Sequence, residues 1–245
     1  MTEAGPNTPA RPMGLLARAI GVITSPRATF ESIVAHPRPI GILFIVAIVV
    51  GLAAGLPQMT ESGRQAALDA QIRQTEQWTG QPVSAQQIEQ MERIGQYNWI
   101  FAVVGTLVML PVISLLMTAV YWALFNAILG GTASFKQVLA VVTHSQVISA
   151  LGALIGVPIQ VMQGTMSMGG PFNLGALAPM LEEGSALASF LGAISVFSLW
   201  GVFVTAIGLA VLYRRKTSTI FIALLVLFLA LTAFFTVALP GMFRR

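Results

Sequence analysis

Long apolar runs separated by short polar stretches dominate this chain. Between Arg93 and Lys136 there is no Asp, Glu, Lys or Arg, and none again until Glu182. Hydrocarbon imposes such runs, because an unpaired charge at mid-bilayer costs about 2.5 kcal/mol or more. A membrane-crossing helix needs about 20 predominantly apolar residues. The pattern therefore predicts an all-α polytopic membrane protein, a bundle of five transmembrane helices over residues 40–56, 99–129, 138–162, 187–213 and 219–242. The second run is too long for one perpendicular span and too short for two, so it reads as one long helix. Tyr97 and Trp99 anchor its start at the interface, and Pro111 is expected to kink it.

The polar stretches have their own pattern. Residues 1–12 carry Pro6, Pro9 and Pro12 with few apolar residues and are expected to be disordered; residues 13–245 read as one membrane domain. From Met13 to Ile23, Leu15, Leu16, Ala19, Ile20 and Ile23 recur at helical spacing with Arg18 on another face. This is the pattern of a helix lying along the membrane surface. Ser25-Pro26 supplies an N-cap and a first-turn proline for a short helix that stops at His36-Pro37. The polar region before the first span is far longer than a signal peptide's n-region, so that span reads as an uncleaved anchor.

The only large insert, residues 58–96, predicts two amphipathic helices. Leu68, Ile72 and Trp78 mark the first, and Gly80-Gln81-Pro82 breaks it. Ser84 with Gln87 forms a capping box for the second, which carries Ile88, Met91 and Ile94 on one stripe and is expected to run on into the next span. The insert is expected to be a solvated hairpin or a partner-binding surface.

Composition narrows the function classes. The chain has 245 residues, 56% of them hydrophobic and 9% charged, with mean hydropathy +0.80. Its net charge of +4 does not point to nucleic acid, because the basic residues lie in short loops. Counted on alternate sides, eight Lys and Arg face five; Arg214, Arg215 and Lys216 make the densest group. The positive-inside rule then puts the N-terminus in the cytoplasm and the C-terminus outside. No cysteine is present, which removes disulfides, thiolate chemistry and palmitoylation.

Catalytic chemistry has little to work with. Intramembrane hydrolysis needs paired acids, a zinc site or a serine with a base, and ion-coupled transport needs a buried charged relay. The five spans contain no Asp, Glu, Lys or Arg. No enzyme activity, cofactor or metal is expected, and Met162, Met166 and Met168 read as a flexible apolar loop. The candidate polar cluster within the membrane is Asn126, His144, Ser145, Gln146, Ser149 and Gln160. Its histidine is expected to hydrogen-bond a neighbouring helix through Asn126 or a serine. Gly51 with Gly55, and Gly152 with Gly156, have the GxxxG spacing that lets helix backbones approach closely. Gly130-Gly131 reads as a helix cap and turn.

Ser25-Pro26-Arg27-Ala28-Thr29-Phe30, the glutamine-rich insert, and Gly130 through Leu139 leading to Thr143-His144-Ser145 together resemble the Yip-domain family, most closely its bacterial branch. The resemblance covers about residues 13–240 and implies five spans with a cytoplasmic N-terminus. Eukaryotic members interact with Rab-type GTPases. Ile148 stands where that family's pattern has a proline, and the eukaryotic Asp-Leu-x-Gly-Pro pattern is absent, so Rab binding is not carried over. The expected role is a non-catalytic scaffold or adaptor whose partners are membrane lipids and another membrane protein, with a homo-oligomer as one form. The rival is a carrier or channel for a small neutral solute or lipid along the polar cluster. A path requires those side chains to converge on one hydrated cavity; a scaffold leaves them scattered.

Overall fold

The computed structural model describes residues 13–164, 166, 169–178, 180–182 and 184–243. The tail 1–12 expected to be disordered, Met168, Glu183 and Arg244-Arg245 lie outside the described residues. Five helical stretches are long and apolar enough to cross a membrane: Pro39–Met59, Asn98–Ile128, Phe135–Met162, Val196–Tyr213 and Thr217–Met242. The fold is an all-α polytopic bundle, and an isolated bridge between Asn173 and Ser195 is the one β feature among the described residues.

Two short helices, α1 (Leu15–Thr24) and α2 (Pro26–Ala35), precede the first span, α3 (Pro39–Gly55). They are part of the bundle: Val22, Phe30 and Ile33 are fully buried in one core with Val141, Leu209 and Ile220. The surface-lying pattern expected for α1 takes an inverted form. Leu16 and Ile20 point outward at 75% and 61% exposure, while Arg18 is 1% exposed. In a membrane the outward face is the oily one, so an amphipathic stripe does not say which side packs. Ser25 occupies the N-cap position of α2, but its side chain makes no capping bond.

The insert forms α4 (Glu61–Thr79) and α5 (Ala85–Gly95), broken at Gly80, whose φ is +68°. The capping box between Ser84 and Gln87 is formed in both directions. Helix α5 does not run unbroken into the second span; Gln96 and Tyr97 interrupt it before α6 (Asn98–Leu129). At 32 residues, α6 is about 48 Å long, well beyond a hydrocarbon core of about 30 Å. Pro111 lies inside it.

Three spans differ from the sequence expectation. The third begins at Phe135, three residues early, because Ser134 and Gln137 form a second capping box. It is also two helices, α7 (Phe135–Ser145) and α8 (Val147–Met162), divided at Gln146. The fourth is shorter than 187–213. A short helix α9 (Ala186–Gly192) ends before Ser195, which caps α10 (Val196–Tyr213). Between them, Leu174 N–H donates to the Ile194 carbonyl at 2.8 Å and Val196 N–H to the Phe172 carbonyl at 3.0 Å. That strand-like pairing forbids a continuous helix. In the fifth, α11 (Thr217–Ala233) gives way to a π turn, Phe234–Ala238, then α12 (Leu239–Phe243). Pro240 lacks an N–H and crowds the carbonyl four residues back, which a widened turn relieves.

One end of the bundle gathers the α1–α2 pair, the 130–134 turn and the 214–216 turn, where the Gln137 side-chain amide donates to the Val34 carbonyl at 3.4 Å. The other gathers the insert and the loop after α8, where Arg73 reaches the Met166 carbonyl at 3.4 Å.

Candidate functional site

The structure spreads the six polar residues along the bundle. Asn126 sits near the end of α6, where its Nδ2 donates to the Ala133 carbonyl at 3.1 Å and its Oδ1 accepts from the Tyr213 hydroxyl at 3.0 Å. Trp122 Nε1 donates to the same carbonyl at 2.9 Å. These bonds fix the turn. Gly130 takes φ +62° there, and a Cβ on Gly131 would come 2.5 Å from the Tyr213 ring.

Nine residues into α7, roughly 14 Å along its axis, His144 is completely buried. The expected partner on another helix is not what it finds. Its Nδ1 lies 2.7 Å from the Ala140 carbonyl of its own helix, and its Nε2 has no partner. Ser145 likewise donates to Val141 within α7, at 2.9 Å. Gln146, at the α7–α8 division, bridges helices: its Nε2 donates to Ser114 Oγ of α6 at 2.7 Å. Ser149 is exposed, and Gln160 is buried about 24 Å further along than His144.

A cavity of about 350 Å³ opens between the insert helices and the start of α6, lined by Gln71, Thr75, Met91 and Asn98 among others. An apolar groove of about 590 Å³ runs between α9 and the π turn, past Phe190 and Phe234. None of the six residues lines either one.

The glycines of the two GxxxG pairs sit at close contacts within the chain. On α3, a Cβ at Gly51 would stand 3.3 Å from the Val103 carbonyl oxygen, and one at Gly55 2.9 Å from that of Trp99, both on α6. On α8, Gly152 faces the Phe197 side chain and Gly156 faces Pro171. Arg214, Arg215 and Lys216 form an exposed turn, in which Arg214 has φ +52°.

Sequence reasoning missed Ser114, Gln137, Tyr213 and Arg18 as structural polar groups. The Ser134–Gln137 spacing was a readable signal for one of them. Burial of Arg18 carried none.

A helical bundle of this kind, with five segments long and apolar enough to cross a membrane, defines a multi-pass membrane protein. The family model described as Yip1 domain matches residues 20–239. "Membrane protein YknW" from Bacillus subtilis (strain 168) is 30% identical over 190 residues, which cover 77% of this chain and 75% of that protein. The chain belongs to the Yip1-domain family. No solved structure matches it significantly.

Proposed function

We propose that this protein is a non-catalytic scaffold or adaptor of the bacterial inner membrane, acting through lipid and protein contacts. The observation that carries this reading is the scatter of the polar side chains. Asn126 is bonded at one end of the bundle, Gln146 bonds Ser114 in its middle, and Gln160 lies far along α8. A carrier for a neutral solute needs these groups along one wet path, whereas isolated bonds hold helices in fixed register. The partner is another membrane protein or a second copy, and the long apolar side of α6, with Phe101, Met109 and Leu116 exposed, is the surface offered to it.

Two measurements test the reading. Photo-crosslinkers at Phe101, Met109 and Leu116 in cells are expected to capture one defined protein. Proteoliposomes holding the purified chain are expected to pass glycerol and urea no faster than empty ones. Solute flux abolished by His144→Leu would instead establish the carrier.

A further inference from the structure

The two insert helices do not close on each other as an ordinary hairpin would. Gln71, Gln74 and Thr75 lie three and four residues apart on α4, the spacing that shares one helix face. They line the cavity of about 350 Å³ together with Asn98, which opens α6, and with Met91 and Ile94 of α5. Met91 and Ile94 belong to the apolar side of α5. Such a side normally packs on another apolar side, but here it meets carboxamides around a gap, and Ile94 stays 54% exposed.

The lining defines the chemistry of an occupant. Thr75 spends its hydroxyl proton on the Gln71 carbonyl of its own helix, at 2.9 Å. The side-chain amides of Gln71, Gln74 and Asn98 have no partner among the described residues, and each offers N–H donors beside a C=O acceptor. No Asp, Glu, Lys or Arg lines the cavity; Arg93, beside Ile94 in sequence, is paired with Glu89 at 3.1 Å. The arrangement suits an uncharged ligand whose groups both donate and accept, with an apolar side for Met91 and Ile94. A sugar ring has both, hydroxyls around its rim and C–H groups on its faces. A peptide is read along a strand edge or as a helix in an apolar groove, and this cavity, walled by helices and carboxamides, is neither.

An apolar track leads from the cavity along α6. Ile94, Tyr97, Phe101, Val104 and Val108 follow one another at steps of three or four residues, and each is more than half exposed. Asn98 starts the second stretch able to cross a membrane, so the cavity lies at headgroup level and the track at the level of acyl chains. We propose that the cavity binds the uncharged sugar headgroup of a glycolipid, with an acyl chain laid along this track. The amides of Gln71, Gln74 and Asn98 bond the ring hydroxyls, and Met91 and Ile94 carry its C–H face. The inference stands apart from the scaffold reading. Phe101 is the one residue shared with the side named above for a protein partner, and a chain that holds no glycolipid can still be a scaffold.

The test is thermal unfolding of the full chain in a detergent without a sugar headgroup. The probes are monoglucosyl and monogalactosyl dioleoylglycerol; the controls are dioleoylglycerol, dioleoyl phosphatidylcholine, glucose and galactose. Saturation with at least one probe is expected to raise the Tm by about 5 °C, and every control is expected to raise it much less. Neither glutamine side chain makes an internal bond, so Gln71→Ala with Gln74→Ala is expected to fold and to lose most of the rise. Asn98→Ala is expected to reduce it several-fold and serves where the double variant does not fold. A photo-crosslinker at Gln74 in cells is expected to give a lipid adduct. No rise with either probe, a rise matched by a control, an unchanged rise in the variants, or capture of a polypeptide at Gln74 overturns the proposal.

Discussion

Gln146 donates from Nε2 to Ser114 Oγ at 2.7 Å, and that bond spans from the division between α7 and α8 to the middle of α6. Ser114 in turn donates to the Leu110 carbonyl at 2.6 Å, so its hydroxyl is used in both directions. The other end of the Gln146 amide is less fortunate, because Oε1 is buried without a partner.

These two residues give a prediction with an unusual sign. Ser114→Ala strands the Gln146 amide and is expected to cost about 1 kcal/mol, within the range of interhelical hydrogen bonds in membranes. Gln146→Met added to Ser114→Ala removes the stranded amide together with the unpaired Oε1. The double variant is expected to be more stable than Ser114→Ala alone, because deleting both partners can be nearly neutral. Reversible unfolding in mixed detergent checks it; a double variant weaker than the single one refutes it.

The packing of α3 on α6 makes a graded prediction. Alanine at Gly55 would press on the Trp99 carbonyl at 2.9 Å, and alanine at Gly51 would stand 3.3 Å from the Val103 carbonyl. Backbone cannot swing aside as a side chain can, so Gly55→Ala is expected to cost about 1–3 kcal/mol and Gly51→Ala less. A Cβ at Gly105, inside α6, meets nothing within 4 Å. Gly105→Ala is expected to stabilise by about 0.5–1 kcal/mol through helix propensity. The order of the three midpoints in one denaturant series is the readout. Gly55→Ala matching Gly105→Ala would remove close helix approach as the reason for the motif.

How much of this was legible depended on whether the cause was local. The Ser84–Gln87 box was readable because its two bonds join residues three apart, and Ser134–Gln137 carried the same signal within a glycine-rich stretch read only as a turn. The division at Gln146 falls in the polar stretch Thr143-His144-Ser145-Gln146, which reads as a cluster inside one span, and its partner Ser114 is 32 residues away. The pairing of Ile194 with Leu174 likewise depends on a distant segment. Arg18 was hardest. In water the polar side of an amphipathic helix faces out, but in a bilayer the apolar side can, and only the packed neighbours decide.

The turn between α6 and α7 yields a third prediction. Tyr213→Phe keeps the ring against Gly131 and Phe125 but leaves Asn126 Oδ1 without its donor. It is expected to cost about 1 kcal/mol. Asn126→Leu removes two bonds and the anchor of the turn, and is expected to cost more. If the two variants unfold at the same denaturant concentration, the Asn126–Ala133 bond contributes nothing and the turn is held by Trp122 alone.

Sidedness is the last prediction, and the absence of native cysteine makes it clean to measure. The structure places the 130–134 and 214–216 turns at the end opposite the insert. By the positive-inside rule the first end is expected to face the cytoplasm. Thr132 and Gln81 are both exposed, so single substitutions Thr132→Cys and Gln81→Cys present reachable thiols on opposite sides. In cells with a permeabilised outer layer and an intact inner membrane, an impermeant maleimide is expected to label Gln81→Cys at once. Thr132→Cys is expected to react only after the inner membrane is opened. The reverse pattern would invert the topology. It would also turn the cavity between α4, α5 and α6 towards the cytoplasm, so that a glycolipid reaching it would come from the inner leaflet.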